Sequence, residues 1–277
     1  MLIARAITPA GLSYGVVDGD TFQLIHGDPF AGIDLATGSF SLSEVKLVAP
    51  VSPVVFLIMM AGFIRPEPGT YDPHLLGDFV QPEGSTRPDI DPYLFPKSVV
   101  SPCGTGDDVP RPPDSAGPVL IEPELAVVIG RKVKGISVDE AMGAVLGFTN
   151  FNDVTLGDFL PRRPRVEHLA FGDLFQAKCA DSAASVGPYI RTDLTEKEID
   201  AGLAIQGRIN GKVCVTGNTR NLKYGISQTI SYASRHRTLY PGDVISFGTP
   251  ATPTEVQVGD VMEVEVEGLG TLRNTLR

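Results

Sequence analysis

Residues 117–130, GPVLIEPELAVVIG, form a run of strand-forming apolar residues interrupted by Glu122 and Glu124, with one proline between them. Side chains alternate along a strand. Val119, Ile121, Leu125, Val127 and Ile129 are therefore expected on one face, and Leu120, Glu122, Glu124, Ala126 and Val128 on the other. Both faces are largely apolar, the mark of a segment buried on both sides. The VMEVEVEG stretch supplies the contrast: Met262, Val264 and Val266 share one face and Glu263, Glu265 and Glu267 the other, as in an ordinary half-solvated strand. Glu122 and Glu124 lie instead among apolar neighbours, about 7 Å apart by the usual strand rise. Buried like charges so placed take up protons, meet a Lys or Arg, or share a divalent cation. Oxygen-only ligands suit Mg²⁺, Mn²⁺ or Ca²⁺. Asp153 in GFTNFNDVT, on the side of Thr149 and Phe151 by alternation, is the expected third acid.

A chain of 277 residues with 42% hydrophobic residues can bury a sizeable core. Its net charge of −10 repels phosphate backbones, and PRRPR at 161–165 is too short to reverse that, so nucleic acid is excluded as a partner. The apolar run VVFLIMMAGF at 54–63 is shorter than the roughly 20 residues of a membrane helix, and the N-terminus carries no charged-then-apolar leader. No membrane association and a cytoplasmic location are expected. Cys103, Cys179 and Cys214 are odd in number and fit no zinc spacing, so free thiols are expected.

The first fifty residues hold short β-like pieces, MLIARAI, LSYGVV and TFQLI, with Gly-Asp turns, and PVSP at 50–53 punctuates their end. They predict a small N-terminal β domain, residues 1–50, ahead of a larger domain, residues 51–277. The Pro-, Gly- and Asp-rich stretch from 64 to 95 reads as a mobile binding lid. Ser137 and Glu140 form a capping box that starts a helix at Val138. A second helix is expected from about Arg220 to Arg237, with Thr219 as its cap and Leu222, Ile226, Ile230 and Ala233 on one apolar face. The rest reads as strands, giving a mostly β (α+β) class.

The segments FPKS, IEPELAVVIG, VLGFTNFNDVT, AKCADSAASVGPYI, INGKV, TLYPGDVISFGTP and VGDVMEVEVEGLGTLRN occur in the order found in the fumarylacetoacetate hydrolase family, which the chain resembles over roughly residues 50–277. That resemblance implies a roll of mixed β-sheets and a homodimer. It implies that Glu122, Glu124 and Asp153 hold Mg²⁺ or Mn²⁺, that Lys178 lies beside the substrate oxygen, and that Thr249, next to Gly248 in the GTP segment, meets the substrate carboxylate. A cation and an ammonium together stabilise an enolate, as fixed positive charge where negative charge develops.

The departures are as informative. Hydrolytic relatives carry G-x-N-Y-x-x-H after the first core strand, with the His activating water; here the stretch reads AGFIRPEP, and Pro68 stands at the His position. His74 and Glu67 are the nearby substitutes, while His26, His168 and His236 lie in unrelated contexts. Relatives also carry A-R-D-x-Q after the metal-binding Asp; here LGDFL places Gly157 and Leu160 where Arg and Gln touch substrate, which implies a less polar substrate tail. Three readings follow. The first is a catabolic, metal-dependent hydrolase of a C–C bond in a 1,3-diketo or acylpyruvate-like acid. The second is a decarboxylase, tautomerase or isomerase of a small 2-keto acid at the same site. The third is a non-catalytic binding protein.

Overall fold

A computed structural model describes residues 1–59, 62–63, 92–99, 102–113, 115–159 and 171–277. The first unit supplies β1 (Leu2–Thr8), β2 (Gly11–Asp18), β3 (Thr21–Ile25), β4 (Leu35–Ser41) and β5 (Lys46–Val48). β2 and β3 pair up to Asp18 and Thr21, so two residues connect them, and Gly19 adopts the φ of +55° that such a turn needs. There follow β6 (Phe56–Met59), β7 (Leu94–Lys97), β8 (Asp108–Val109), β9 (Val119–Ile121), β10 (Pro123–Ile129), the short helix α1 (Val138–Ala141), β11 (Val145–Asp153) and β12 (Thr155–Leu156). After these come α2 (Phe171–Lys178), β13 (Ala184–Arg191), α3 (Glu196–Gly202), β14 (Ala204–Ile209), β15 (Lys212–Asn218) and α4 (Ile226–His236). The chain ends with β16 (Val244–Ser246), β17 (Thr254–Val256), β18 (Val261–Val266) and β19 (Thr271–Leu276).

Three sheets result. The largest runs β4-β3-β2-β1-β13-β11-β10-β16-β6-β7, with β5 also paired to β1. The second is β12-β9-β17 and the third β15-β14-β18-β19-β8. Most pairs are antiparallel, but β16–β6 and β19–β8 are parallel, so the sheets are mixed. β1 joins the N-terminal strands to the body through Leu2 opposite Arg191 and Ile3 opposite Ile190. β10 lies at the centre of the large sheet. Its Leu125, Val127 and Ile129 pack with Ile226, Ile230 and Ala233 of α4 on one side, and Ala126 and Val128 pack with Phe56, Ile58 and Phe151 on the other. This is the two-sided burial its composition predicts.

Several expectations need correction. The run through Glu122 is not one strand: β9 belongs to the second sheet and β10 to the first, with the break at Glu122. Pro123 has no N–H to offer a ladder, and the Glu122 N–H turns to the Asn152 side chain instead. The C-terminal helix starts at Ile226 rather than near Arg220. Thr219–Asn221 form a single 3₁₀ turn capped by Asn218, and Leu222 adopts an extended ψ of 132° that interrupts the helical path. Two helices are present where strands were expected, and one of them, α3, carries its own capping box of Thr195 and Glu198. Of the predicted lid, residues 64–91 lie outside the described residues, whereas Leu94 and Phe95 open β7 of the main sheet. The helix at Val138 forms as expected, with the Ser137–Glu140 box intact.

Buried asparagines pin the sheets together. Asn150 on β11 donates to the carbonyls of Gly187 (3.1 Å), Leu269 (3.3 Å) and Gly270 (3.0 Å), and accepts from the Val266 N–H at 2.7 Å. It therefore ties the first sheet to the third. Asn150→Ala would leave these backbone groups buried without partners and is expected to cost about 3 kcal/mol, read as a lower urea midpoint at unchanged m-value. Cys103 is buried and its thiol is pushed up to about 12, chiefly by burial. Thiol titration of the native protein should therefore modify Cys179 and Cys214 and leave Cys103 silent until denaturant is added.

Candidate active site

The break after β9 and the end of β11 bring Glu122, Glu124 and Asp153 together, with one carboxylate oxygen of each within 4.8 Å of the others. All three are buried, Glu124 and Asp153 at 1% exposure. Lys178, the last residue of α2, reaches between two of them: its Nζ donates to Glu122 Oε1 at 2.8 Å and to Asp153 Oδ2 at 2.5 Å. A second ammonium, Lys97 of β7, donates to Asp153 Oδ1 at 2.5 Å and to the Val154 carbonyl at 2.8 Å. The FPKS segment carries this lysine, which stands apart from the acids in sequence. A signal was present, since alternation along a short edge strand puts Lys97 on the inward face with Phe95. Phe95 walls the same space, its ring 6.0 Å from Lys178 Nζ.

Neutral donors complete the cluster. The Thr155 hydroxyl donates to Glu122, and the Ser246 hydroxyl and the Gly248 N–H, the latter at 3.2 Å, donate to Glu124. Among the described residues no ammonium or guanidinium touches Glu124. Burial, with repulsion from Asp153 and Glu122, accordingly raises its pKa well above the ordinary glutamate range. Burial also raises Glu122, although Lys178 opposes it. Asp153 goes the other way: burial pushes it up, but Lys178 and Lys97 outweigh that and hold it below its usual value. On Lys178, burial is overcome by Asp153 and Glu122, so its proton is held more firmly than on a free lysine. Lys97 is lowered by burial, which outweighs the pull of Asp153.

The donor set fits a divalent cation. Three carboxylates face two ammoniums, so one negative charge is in excess, and it falls where Glu124 has only neutral partners. Lysines serve Glu122 and Asp153, and the three carboxylates together could hold a metal ion that answers Glu124.

Of the other candidate residues, Gly248 joins the cluster through its N–H, with a φ of +81° that brings its backbone close to Met59. Thr249 is buried and its Oγ1 has no hydrogen-bond partner among the described residues. An orphaned hydroxyl one residue from a group bonded to Glu124 is suited to a ligand oxygen. Gly157 packs on Pro118, where an added Cβ would fall 2.6 Å from the ring Cγ, and its N–H donates to the Pro118 carbonyl. Glu67, His74, His168 and Leu160 lie outside the described residues. His236 ends α4, and no helix among the described residues is long and apolar enough to cross a membrane.

A mixed β roll with buried acids and a lysine at the meeting of its sheets defines a class of small-molecule enzymes, and comparison with known proteins gives the particular family. The model described as fumarylacetoacetate (FAA) hydrolase, C-terminal, matches residues 75–277, and one described as Rv2993c-like, N-terminal, matches residues 1–50. The chain belongs to the fumarylacetoacetate hydrolase family. It is similar to Protein Rv2993c of Mycobacterium tuberculosis, with 31% identity over 99% of this chain and 97% of that one. It is also similar to the oxaloacetate tautomerase YisK of Bacillus subtilis, with 30% identity over 97% of this chain and 87% of that one. The crystal structure of 5-carboxymethyl-2-hydroxymuconate delta-isomerase from Mycobacterium smegmatis matches with a TM-score of 0.82 at 28% identity, covering 100% of this chain and 99% of that one.

A raised pKa on Glu124 means that the metal-free folded chain retains a proton which the unfolded chain releases. The contribution of Glu124 to stability is complete below the ordinary carboxylate range and is lost as pH rises through the raised value. In EDTA at about pH 8, Glu124→Gln is expected to raise the melting temperature by about 2–4 °C, equivalent to about 1 kcal/mol, with the gain vanishing toward about pH 4.5. The same variant should lose the stabilisation that Mn²⁺ gives the native chain, as followed by calorimetry.

Proposed function

We propose that this chain catalyses keto–enol tautomerisation or isomerisation of a 2-oxo acid at the cluster of Glu122, Glu124, Asp153 and Lys178. The observation that carries the reading is Lys178: a buried ammonium fixed by two carboxylates, each within 2.8 Å, beside an acid with no cationic partner among the described residues. Two carboxylates hold the proton on Nζ, so Lys178 serves as a hydrogen-bond donor and fixed positive charge rather than as a base. Directed at the 2-oxo oxygen, Nζ stabilises the negative charge that develops there as a C3 proton passes to solvent water, and a proton returned from water to the oxygen completes the tautomer. The Thr249 hydroxyl receives the substrate carboxylate and fixes which carbonyl faces Lys178. Glu122, Glu124 and Asp153 would hold Mg²⁺ or Mn²⁺, which when bound supplies a further positive charge for the enolate.

Two observations favour this over the hydrolytic reading. Similar proteins include an oxaloacetate tautomerase and a hydroxymuconate isomerase. The position of the water-activating His in hydrolytic relatives is Pro68, and tautomerisation needs no nucleophilic water. Hydrolysis of an acylpyruvate requires a replacement base, for which His74 and Glu67 remain the candidates. Residues 1–50 are proposed as a separate N-terminal unit, the active form as a homodimer, and the location as cytoplasmic.

The test is exchange of C3 deuterium from labelled 2-oxo acids, with and without EDTA. Metal-dependent exchange that falls at least about 100-fold in Lys178→Met supports the reading. If ¹⁸O from water enters a cleaved product at the rate of turnover and His74→Ala with Glu67→Gln lowers that rate about 10²-fold or more, hydrolysis is the reaction instead.

A further inference from the structure

Beside the acid cluster lies a cavity of about 230 Å³ whose described lining is Pro96, Lys97, Ser98, Leu174, Phe175 and Cys179. It is built from the two elements that carry the ammoniums. β7 contributes Pro96 and Lys97, with Ser98 just beyond it, and α2 contributes Leu174 and Phe175 one turn before Lys178, with Cys179 directly after. The cavity and the cluster therefore share Lys97, whose ammonium rests 2.5 Å from Asp153. Leu174 is 9% exposed, and Phe175, at 62%, stands at the solvent side.

The chemistry of this lining is one-sided. Carbon dominates it, and the only cation among its described residues, Lys97, has its ammonium committed to Asp153 and the Val154 carbonyl. Charge balance points the same way. Three carboxylates, two ammoniums and one divalent cation sum to a single positive charge, which one substrate carboxylate neutralises. Among the described residues, no cation is left to pair with a second carboxylate in the cavity.

We infer that this cavity receives the tail of the substrate and selects monocarboxylic 2-oxo acids with a short apolar chain over dicarboxylic ones. The volume is below the roughly 300–1,000 Å³ of drug-sized sites, which suits a branched tail of a few carbons. The inference rests on the proposed reaction for the direction of the acid, with the carboxylate at Thr249 and the tail toward Lys97.

Cys179 makes the cavity directly observable, apart from turnover. In a Cys214→Ser chain loaded with Mn²⁺, iodoacetamide alkylation of Cys179 is followed by mass spectrometry with 4-methyl-2-oxopentanoate or with 2-oxoglutarate, two acids of similar length that differ in the polarity of the tail. The branched monoacid should slow alkylation at least about tenfold at concentrations where 2-oxoglutarate leaves it unchanged, the scale on which apolar pockets discriminate. Phe175→Arg, a change at an exposed position that places a cation at the cavity, should reverse the preference. Equal or better protection by 2-oxoglutarate in the unsubstituted chain, or protection by neither acid, overturns the inference. C3 deuterium exchange on the same samples separates it from the reaction: selective protection without exchange supports the cavity and defeats the tautomerase reading, whereas exchange without selective protection does the reverse.

Discussion

Three buried carboxylates bring one oxygen each within 4.8 Å of one another, and among the described residues two ammoniums reach them. Bringing such a group out of water is among the most costly acts a fold can perform, and the described residues meet the cost locally by hydrogen bonding four of the six carboxylate oxygens. Thr155, Ser246 and Gly248 donate where the lysines do not reach. What is left over is confined to one residue. Glu124 carries the excess, because Asp153 monopolises Lys97 and shares Lys178 with Glu122.

The architecture can be understood from that constraint. A continuous strand through residues 119–129 would place both glutamates on one sheet face but could not also bring Asp153 and two lysines from three other segments to them. The break at Glu122 passes the chain from the second sheet to the first, and the Asn152 side chain takes the Glu122 N–H at 3.0 Å, so the residue preceding Asp153 fixes the backbone of the residue that faces it. The Asp153 N–H in turn donates to the Glu122 carbonyl at 3.1 Å. Two acids that repel each other are thereby held together by their own main chains, and the lysines need only neutralise a geometry already set.

Much of this was legible in the residues. Two glutamates in an apolar run, set against the evenly alternating VMEVEVEG, point to the candidate site, because burial of a charge is written into its neighbours. Asp153 followed from alternation along β11. The strand break did not follow, since Pro123 in an apolar run is compatible with either an edge or a change of sheet, and only the long-range partners of β9 and β10 decide between them. Lys97 was missed for a similar reason. A lysine on a four-residue strand reads as solvated unless its inward neighbour is known to face acids 56 residues away. Helix α3 was legible in its Thr195–Glu198 box and was passed over, whereas the premature start assigned to α4 came from apolar periodicity that continued through a turn it does not control.

Lys97 also links charge to selectivity. One side chain neutralises an acid of the cluster with its ammonium and also belongs to the lining of the neighbouring cavity. Because the ammonium is spent on Asp153, the cavity beside it is electrically plain despite lying next to five ionisable groups. Had Lys97 been free, the same cavity would attract a second carboxylate. Gly157 extends the pattern: packed on Pro118 with no room for a Cβ, it cannot be exchanged for an arginine without moving the Pro118 segment that leads into β9. On the proposed reading, a glycine at position 157 and a committed Lys97 agree with each other, and together they would leave shape and apolar burial, rather than a second ion pair, to discriminate one tail from another.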